Sequence, residues 1–246
     1  MKIFKFFLSV CLFATAAICS QEICKITSYE DFPWRELGSK NTDQKIFMFD
    51  IDGTLLRTDV LSTAYAAITT QPYESFAQIW SYISTREKKG VLDLGTRYEQ
   101  SSLIDDRIPH MVDTLIGNGH IVWNYTNVYT GKLYDTTYEE QIAYKLDRLN
   151  IKRSPILVDN GAIDRIDFPA YEGVYPVFYK GILLNAKKSK SKVFEYSFLP
   201  WLQSNVSYQS ISHLIYIDDL SQNVYDIGKI CEHYKINYKG FICCFE

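Results

Sequence analysis

Short apolar runs alternate with stretches of helical spacing along most of this chain. Ile46, Phe47, Met48 and Phe49 form an unbroken apolar run, the pattern of a strand buried on both faces, as in a parallel sheet covered by helices. From residue 58 to about 103 the spacing turns helical, with Leu61, Tyr65 and Ile68 and then Phe76, Ile79, Trp80 and Ile83 recurring on one face. Pro109 opens a helix through Met111, Val112 and Leu115 that Gly117 and Gly119 close. A strand follows at 120–125, then an amphipathic helix at 138–149 with Ile142, Leu146 and Leu149 on one side. Residues 154–158 read as a strand, and 175–179 with 181–184 as a hairpin. A helix at 193–202, a strand at 214–217, a helix at 221–234 and a tail at 238–245 complete the chain. Residues 26–44 are polar and mixed, an approach segment with a short helix around 29–36. Such alternation predicts an α/β fold, a parallel sheet flanked by helices.

Two of these strands end in acids. Asp50 and Asp52 follow the first, with Gly53 and Thr54 behind them; Asp218 and Asp219 follow the strand at 214–217. In parallel sheets ligands bind beyond the carboxyl ends of the strands. Two carboxylates at ~4 Å repel by about 4 kcal/mol at an effective dielectric of ~20, so each pair calls for a cation. A hard ion with oxygen ligands, Mg²⁺ above all, meets that need. The alternative for each pair is turn chemistry, an Asp capping a helix and Gly53 supplying a positive φ. That alternative suits a lone Asp-Gly better than acids at the ends of two buried strands.

The N-terminus changes the picture of where the chain works. Lys2 and Lys5 precede a short apolar stretch, and small residues follow up to Ser20, the layout of a secretory signal peptide. The stretch is short against the ~20 residues of a membrane span, although a retained anchor stays open. We place cleavage near Ser20, which predicts an exported protein, periplasmic or secreted, with no membrane span after removal. Removing residues 1–20 takes away two lysines and no acid, so the formal charge moves from -3 to -5. That mild acidity gives no footprint for nucleic acid, which wants a basic patch. Four cysteines then remain, Cys24, Cys231, Cys243 and Cys244. An exporting route permits one bridge among them, whose pairing the sequence does not reveal.

The motif Asp50-Ile51-Asp52-Gly53-Thr54-Leu55 resembles the first motif of the haloacid dehalogenase-like (HAD) superfamily, most of whose members transfer phosphoryl groups through an aspartyl-phosphate. Thr126, ending the strand at 120–125, resembles the second motif, whose hydroxyl binds the phosphoryl group. Related phosphatases often continue Thr-x-Arg, whereas Asn127 and Val128 follow here. The third motif supplies a lysine. Lys187, Lys188, Lys190 and Lys192 are candidates, and Lys190 aligns best, placed after Gly181-Ile182-Leu183-Leu184 and before the helix at 193–202; a solvated basic loop accounts for the others. Asp218 and Asp219 resemble the fourth, acidic metal motif.

A finer resemblance is to an exported bacterial HAD-like family known as a domain of unknown function. It rests on the acidic strand, the Ile108-Pro109 helix, the 181–184 segment, and Ile217-Asp218-Asp219 with Asn223. The resemblance implies a Rossmann-like HAD core in two parts, 21–57 and 105–246, with a helical cap at 58–104. It implies a Mg²⁺-dependent phosphatase acting on a small phosphorylated substrate. Asp50 would be the nucleophile and Asp52 the general acid and base. Thr126 and Lys190 would bind phosphate; Asp50, the Asp52 carbonyl, Asp218 and Asp219 would hold the metal. The rival is a HAD-fold binding or effector protein that keeps the metal site without turnover.

Overall fold

The computed structural model describes residues 21–40, 43–58, 101–159, 161–209 and 212–245; the proposed signal and most of the expected cap lie outside them. An eight-stranded sheet runs through the molecule. Its strands are β1 (Gln21–Ile26), β14 (Asn237–Cys243), β13 (His213–Asp218), β2 (Ile46–Phe49), β5 (Ile121–Thr126), β12 (Ile182–Leu184), β11 (Val177–Tyr179) and β10 (Arg165–Asp167), in that spatial order. Outside it, β6 (Lys132–Leu133) pairs with β7 (Thr136–Thr137) and β8 (Ile156–Val158) with β9 (Gly161–Ile163). Pairing is parallel from β1 through β12. It turns antiparallel at β11 and β10, so the sheet is mixed, where the sequence predicts a parallel one. The short turn at Lys180 and Gly181 is the reason: a connection of this length can only reverse the chain, since a parallel return needs a crossover of a dozen residues or more.

Five helices lie among the described residues: α1 (Trp34–Leu37), α2 (Ile108–Gly117), α3 (Tyr138–Arg148), α4 (residues 190–204) and α5 (Ser221–His233). Within α4, α-helical Lys190–Val193 and Leu199–Ser204 flank a π-helical turn, Phe194–Phe198. Pro200 accounts for that turn. It has no N–H to donate, and its ring crowds the carbonyl four residues back, so the helix widens there.

Alternation along the strands sorts side chains to two cores. Phe47 and Phe49 of β2 join Val122, Ile215, Ile217 and Phe241 under α2 and α3, with Met111, Leu115, Ile142 and Leu146 above them. Met48 joins Trp123, Leu183, Tyr216 and Ile242 on the other face, under Phe198, Leu202, Val224 and Ile227 of α4 and α5. The central strands β2 and β5 are buried at every position, as the run 46–49 predicts for a doubly covered sheet.

The expectation for 58–104 needs correcting at its ends. Leu56–Thr58 (β3) and Ser101–Leu103 (β4) pair antiparallel, and the Ile104 amide donates to the Leu55 carbonyl at 3.0 Å. Residues 56–58 and 101–103 are therefore strand rather than helix, because the ribbon satisfies backbone groups that two diverging helices would leave open.

The bridge that an exporting route permits is not formed among the described residues: Cys24, Cys231, Cys243 and Cys244 are all free. Cys231, on the buried face of α5, joins the core on one side of the sheet and Cys243 the core on the other. Cys24 faces Phe241 in the β1–β14 register while Cys243 faces Ile26, two positions out of line for a bridge.

Candidate functional site

β2 and β13 run side by side, with Phe49 opposite Ile217. The Asp50 amide extends that ladder by donating to the Ile217 carbonyl at 2.8 Å. The acids after both strands therefore come together at one sheet edge. Asp50 follows the parity of Met48, and Asp218 that of Tyr216, so both carboxylates lie on the side of the sheet that α4 covers. There the Lys190 ammonium donates to Asp50 Oδ1 at 2.5 Å and to Asp218 Oδ2 at 2.7 Å. Lys190 sits in the first turn of α4 and is buried, as are both acids.

Asp218 is fixed from several directions. The Tyr216 hydroxyl donates to its Oδ2 at 2.5 Å, the Leu220 amide to Oδ1 at 2.8 Å, and Asn223 Nδ2 reaches both oxygens at 3.1 Å. Leu220 and Asn223 belong to the start of α5, which has no side-chain cap on its N-terminal residue; Asp218 takes up donors there instead. Tyr125 closes the far side, its hydroxyl donating to the Lys190 carbonyl and its ring 5.5 Å from the Lys190 ammonium.

Asp219 is half-buried, and its approach depends on Gly53. That residue has φ +79°, and a Cβ there would stand 2.5 Å from Asp219 Oδ2 and 2.8 Å from its Cγ. Only glycine tolerates both the left-handed backbone and the contact. The loop carrying Gly53 is tight: the amides of Leu55 and Leu56 both donate to the Ile51 carbonyl at 2.9 Å. The Tyr29 hydroxyl donates to the Thr54 carbonyl at 3.0 Å.

Asp50, Asp218 and Asp219 each offer an oxygen within 4.8 Å of the others. Two ligands ~2.1–2.4 Å from one hard cation are at most about 4.2–4.8 Å apart, so the spacing and the all-oxygen donor set fit Mg²⁺ or Ca²⁺. Electrostatics point the same way. Burial pushes the Asp50 carboxyl well above the usual range, and Asp218 and Asp52 push with it, against the pull of Lys190. Burial raises Asp219 as well, helped by Asp218. Lys190 carries its own answer: burial would lower its pKa, but Asp50 and Asp218 raise it above the usual lysine value. One ammonium is thus locked charged among more negative charge than it neutralises.

Asp50, Asp218, Asp219 and Lys190 are thus brought together. Asp52 lies at the rim of this group, exposed and bridged through its backbone to Leu56, and its charge still reaches Asp50. Thr126 ends β5, the strand next to β2, and is buried. Its parity is that of Asn124, opposite Phe49, so alternation sets it on the far face of the sheet from Asp50. Tyr216 was not among the residues expected at the site. Its signal was present in the strand period, since a tyrosine two positions before a site acid shares its face. Tyr125 had no such signal, because only the pairing of β5 with β2 brings it near.

No curated protein matches the chain. A family model, described as protein of unknown function (DUF2608), matches residues 35–243, a span that takes in all four residues of the cluster and most of the sheet around them. The chain belongs to the DUF2608 family.

Proposed function

We propose that this protein is an exported Mg²⁺-dependent phosphatase of the HAD type that hydrolyses a small phosphomonoester through an aspartyl-phosphate. The observation that carries the reading is the buried lysine shared by Asp50 and Asp218 at adjacent strand ends, with Asp219 beside them. A purely structural ion pair needs one carboxylate per ammonium. Three acids around one lysine leave charge for a cation and an electrophile.

Asp50 attacks phosphorus, forming the acyl-phosphate as the ester oxygen leaves. Asp52, exposed at the rim, hands its proton to that oxygen. As a carboxylate it then takes a proton from the water that cleaves the acyl-phosphate, returning free Asp50 and phosphate. Lys190 stabilises charge on the transferring oxygens. Thr126, at the tip of the next strand, takes no part in this reading, because alternation sets it on the far face of the sheet from Asp50. Asp50, Asp218, Asp219 and the Asp52 carbonyl would hold Mg²⁺, which supplies positive charge that keeps Asp50 ionised and offsets the phosphoryl oxygens.

Asp50→Asn tests the chemistry. Hydrolysis of an aryl phosphate with Mg²⁺ should fall a thousandfold or more, about 4 kcal/mol in barrier, and beryllium fluoride should bind wild type alone. Equal trace activity in both across a panel of phosphomonoesters would leave a metal-dependent binding protein instead. Export is tested separately: mass spectrometry of secreted or periplasmic material should find a chain starting between about residues 17 and 21, and an intact Met1 would mean a retained anchor.

A further inference from the structure

We infer that Lys187 is a second cation of this site, binding the phosphoryl oxyanion of the incoming phosphomonoester; the inference rests on the phosphatase reading. Charge balance motivates it. Asp50, Asp52, Asp218 and Asp219 bring four negative charges, Lys190 one positive and a divalent ion two. The centre stays net negative where a dianion must arrive. The loop after β5 carries no cation in Thr126, Asn127 or Val128, and Val128 packs against the core below α2.

The four lysines of this segment have separate fates. Lys190 is taken by the buried acids. Lys188 reaches away to Glu172 at 3.2 Å, and Lys192 to Glu195 at 3.9 Å. Lys187 is exposed as a residue, yet its ammonium stands 5.8 Å from the centroid of Tyr129, on the β5 loop. Crowding there lowers its pKa, and the charge that opposes the lowering is Asp52. Among the described residues no acid lies within ion-pair distance of it. Its head therefore stands beside the β5 loop, three residues before Lys190, with Asp52 the acid whose charge reaches it.

The backbone holds it there. Ala186 and Lys187 are both left-handed, at φ +55° and +62°, which non-glycine residues adopt in sequence only under constraint. Asn185, wholly buried, supplies the constraint: its Oδ1 accepts from the Lys187 amide at 3.2 Å, and its Nδ2 donates to the Lys188 carbonyl. Its own amide donates to the Thr126 carbonyl at 3.3 Å, so the turn is fastened to the end of β5.

The test measures inorganic phosphate binding with Mg²⁺ by calorimetry on the mature chain, beside steady-state kinetics on an aryl phosphate. Lys187→Gln should weaken phosphate about tenfold or more and raise KM with a smaller change in kcat. Lys187→Arg should keep most of the affinity, and Lys188→Gln, which removes a lysine paired elsewhere, should bind as wild type. Unchanged phosphate affinity in a folded Lys187→Gln overturns this inference and leaves the phosphatase reading standing. A wild type that neither binds phosphate nor turns over overturns both.

Discussion

Replacing Lys190 with methionine nearly keeps the side chain's length and removes its charge. In the wild type the Lys190, Asp50 and Asp218 side chains are 3 %, 9 % and 0 % exposed, so nothing but the protein answers their charges. Each contact is worth about 6 kcal/mol of gross Coulomb attraction at an effective dielectric of ~20, much of it offset by desolvation. Removing one partner of a buried pair costs about 3–5 kcal/mol, because the other is left buried and charged. Here two carboxylates are left at once, which sets the expected loss near the upper figure, against a total stability of about 5–15 kcal/mol for a folded domain.

The pH dependence has a definite sign. Asp50 is held above its ordinary range by burial, and Lys190 is the influence opposing that rise; without it the carboxyl moves higher still. A carboxyl raised in the folded state contributes stability below its unfolded pKa, about 3.9, and loses it as pH rises through the folded value. The deficit of Lys190→Met should therefore be smaller near pH 5 than at pH 7.5. Urea unfolding followed by circular dichroism, with a chelator present, measures both. Adding Asp218→Asn should recover part of the loss by removing one buried charge. A Lys190→Met protein within about 0.5 kcal/mol of wild type at neutral pH would mean that the lysine is not what neutralises the acids, and the electrostatic account of the site would fail.

Mg²⁺ should bind the mature protein in calorimetry and be lost or greatly weakened in Asp218→Ala; equal binding by both would place the ion elsewhere. Gly53→Ala forces a Cβ to 2.5 Å from Asp219 Oδ2 at φ +79°, so it should cost about 1–2 kcal/mol for the backbone alone and weaken Mg²⁺ by displacing Asp219. Unfolding and calorimetry on the same sample check both effects, and wild-type metal affinity would show that Asp219 is not a ligand.

The parts legible in the sequence were those whose signal is local. The run 46–49 and the strand before Asp218 are apolar at every position, and the acids behind them break the pattern abruptly. β1 escaped notice because its Glu22, Cys24 and Lys25 mix polar and apolar residues, and its place comes from a parallel pairing with β14 across the whole chain. The reversal at β11 and β10 was visible as a hairpin, but not its membership of the main sheet, which depends on β12 docking beside β5. Among the lysines, the resemblance to the third motif favoured Lys190; the orientation of Lys187 comes from a left-handed turn set by Asn185, which no periodicity encodes.

The π-helical turn at Phe194–Phe198 has a consequence for how this chain tolerates insertion and deletion. It amounts to one residue more than an α-helix would hold between Lys190 and the aromatic cluster that Phe198 and Trp201 form with Trp123 and Phe178. Deleting a single residue there would let the helix close to α geometry without disturbing that cluster. Both halves would keep their phase, because the wide turn already takes up the extra residue within one turn. Ironing the bulge into α geometry at the present length would instead turn one half against the other by about 100°, the angle of one residue at 3.6 per turn, and swing the ammonium away from both carboxylates. The wide turn thus absorbs a surplus residue between two halves of one helix, one half indexed to the core and the other to the acids.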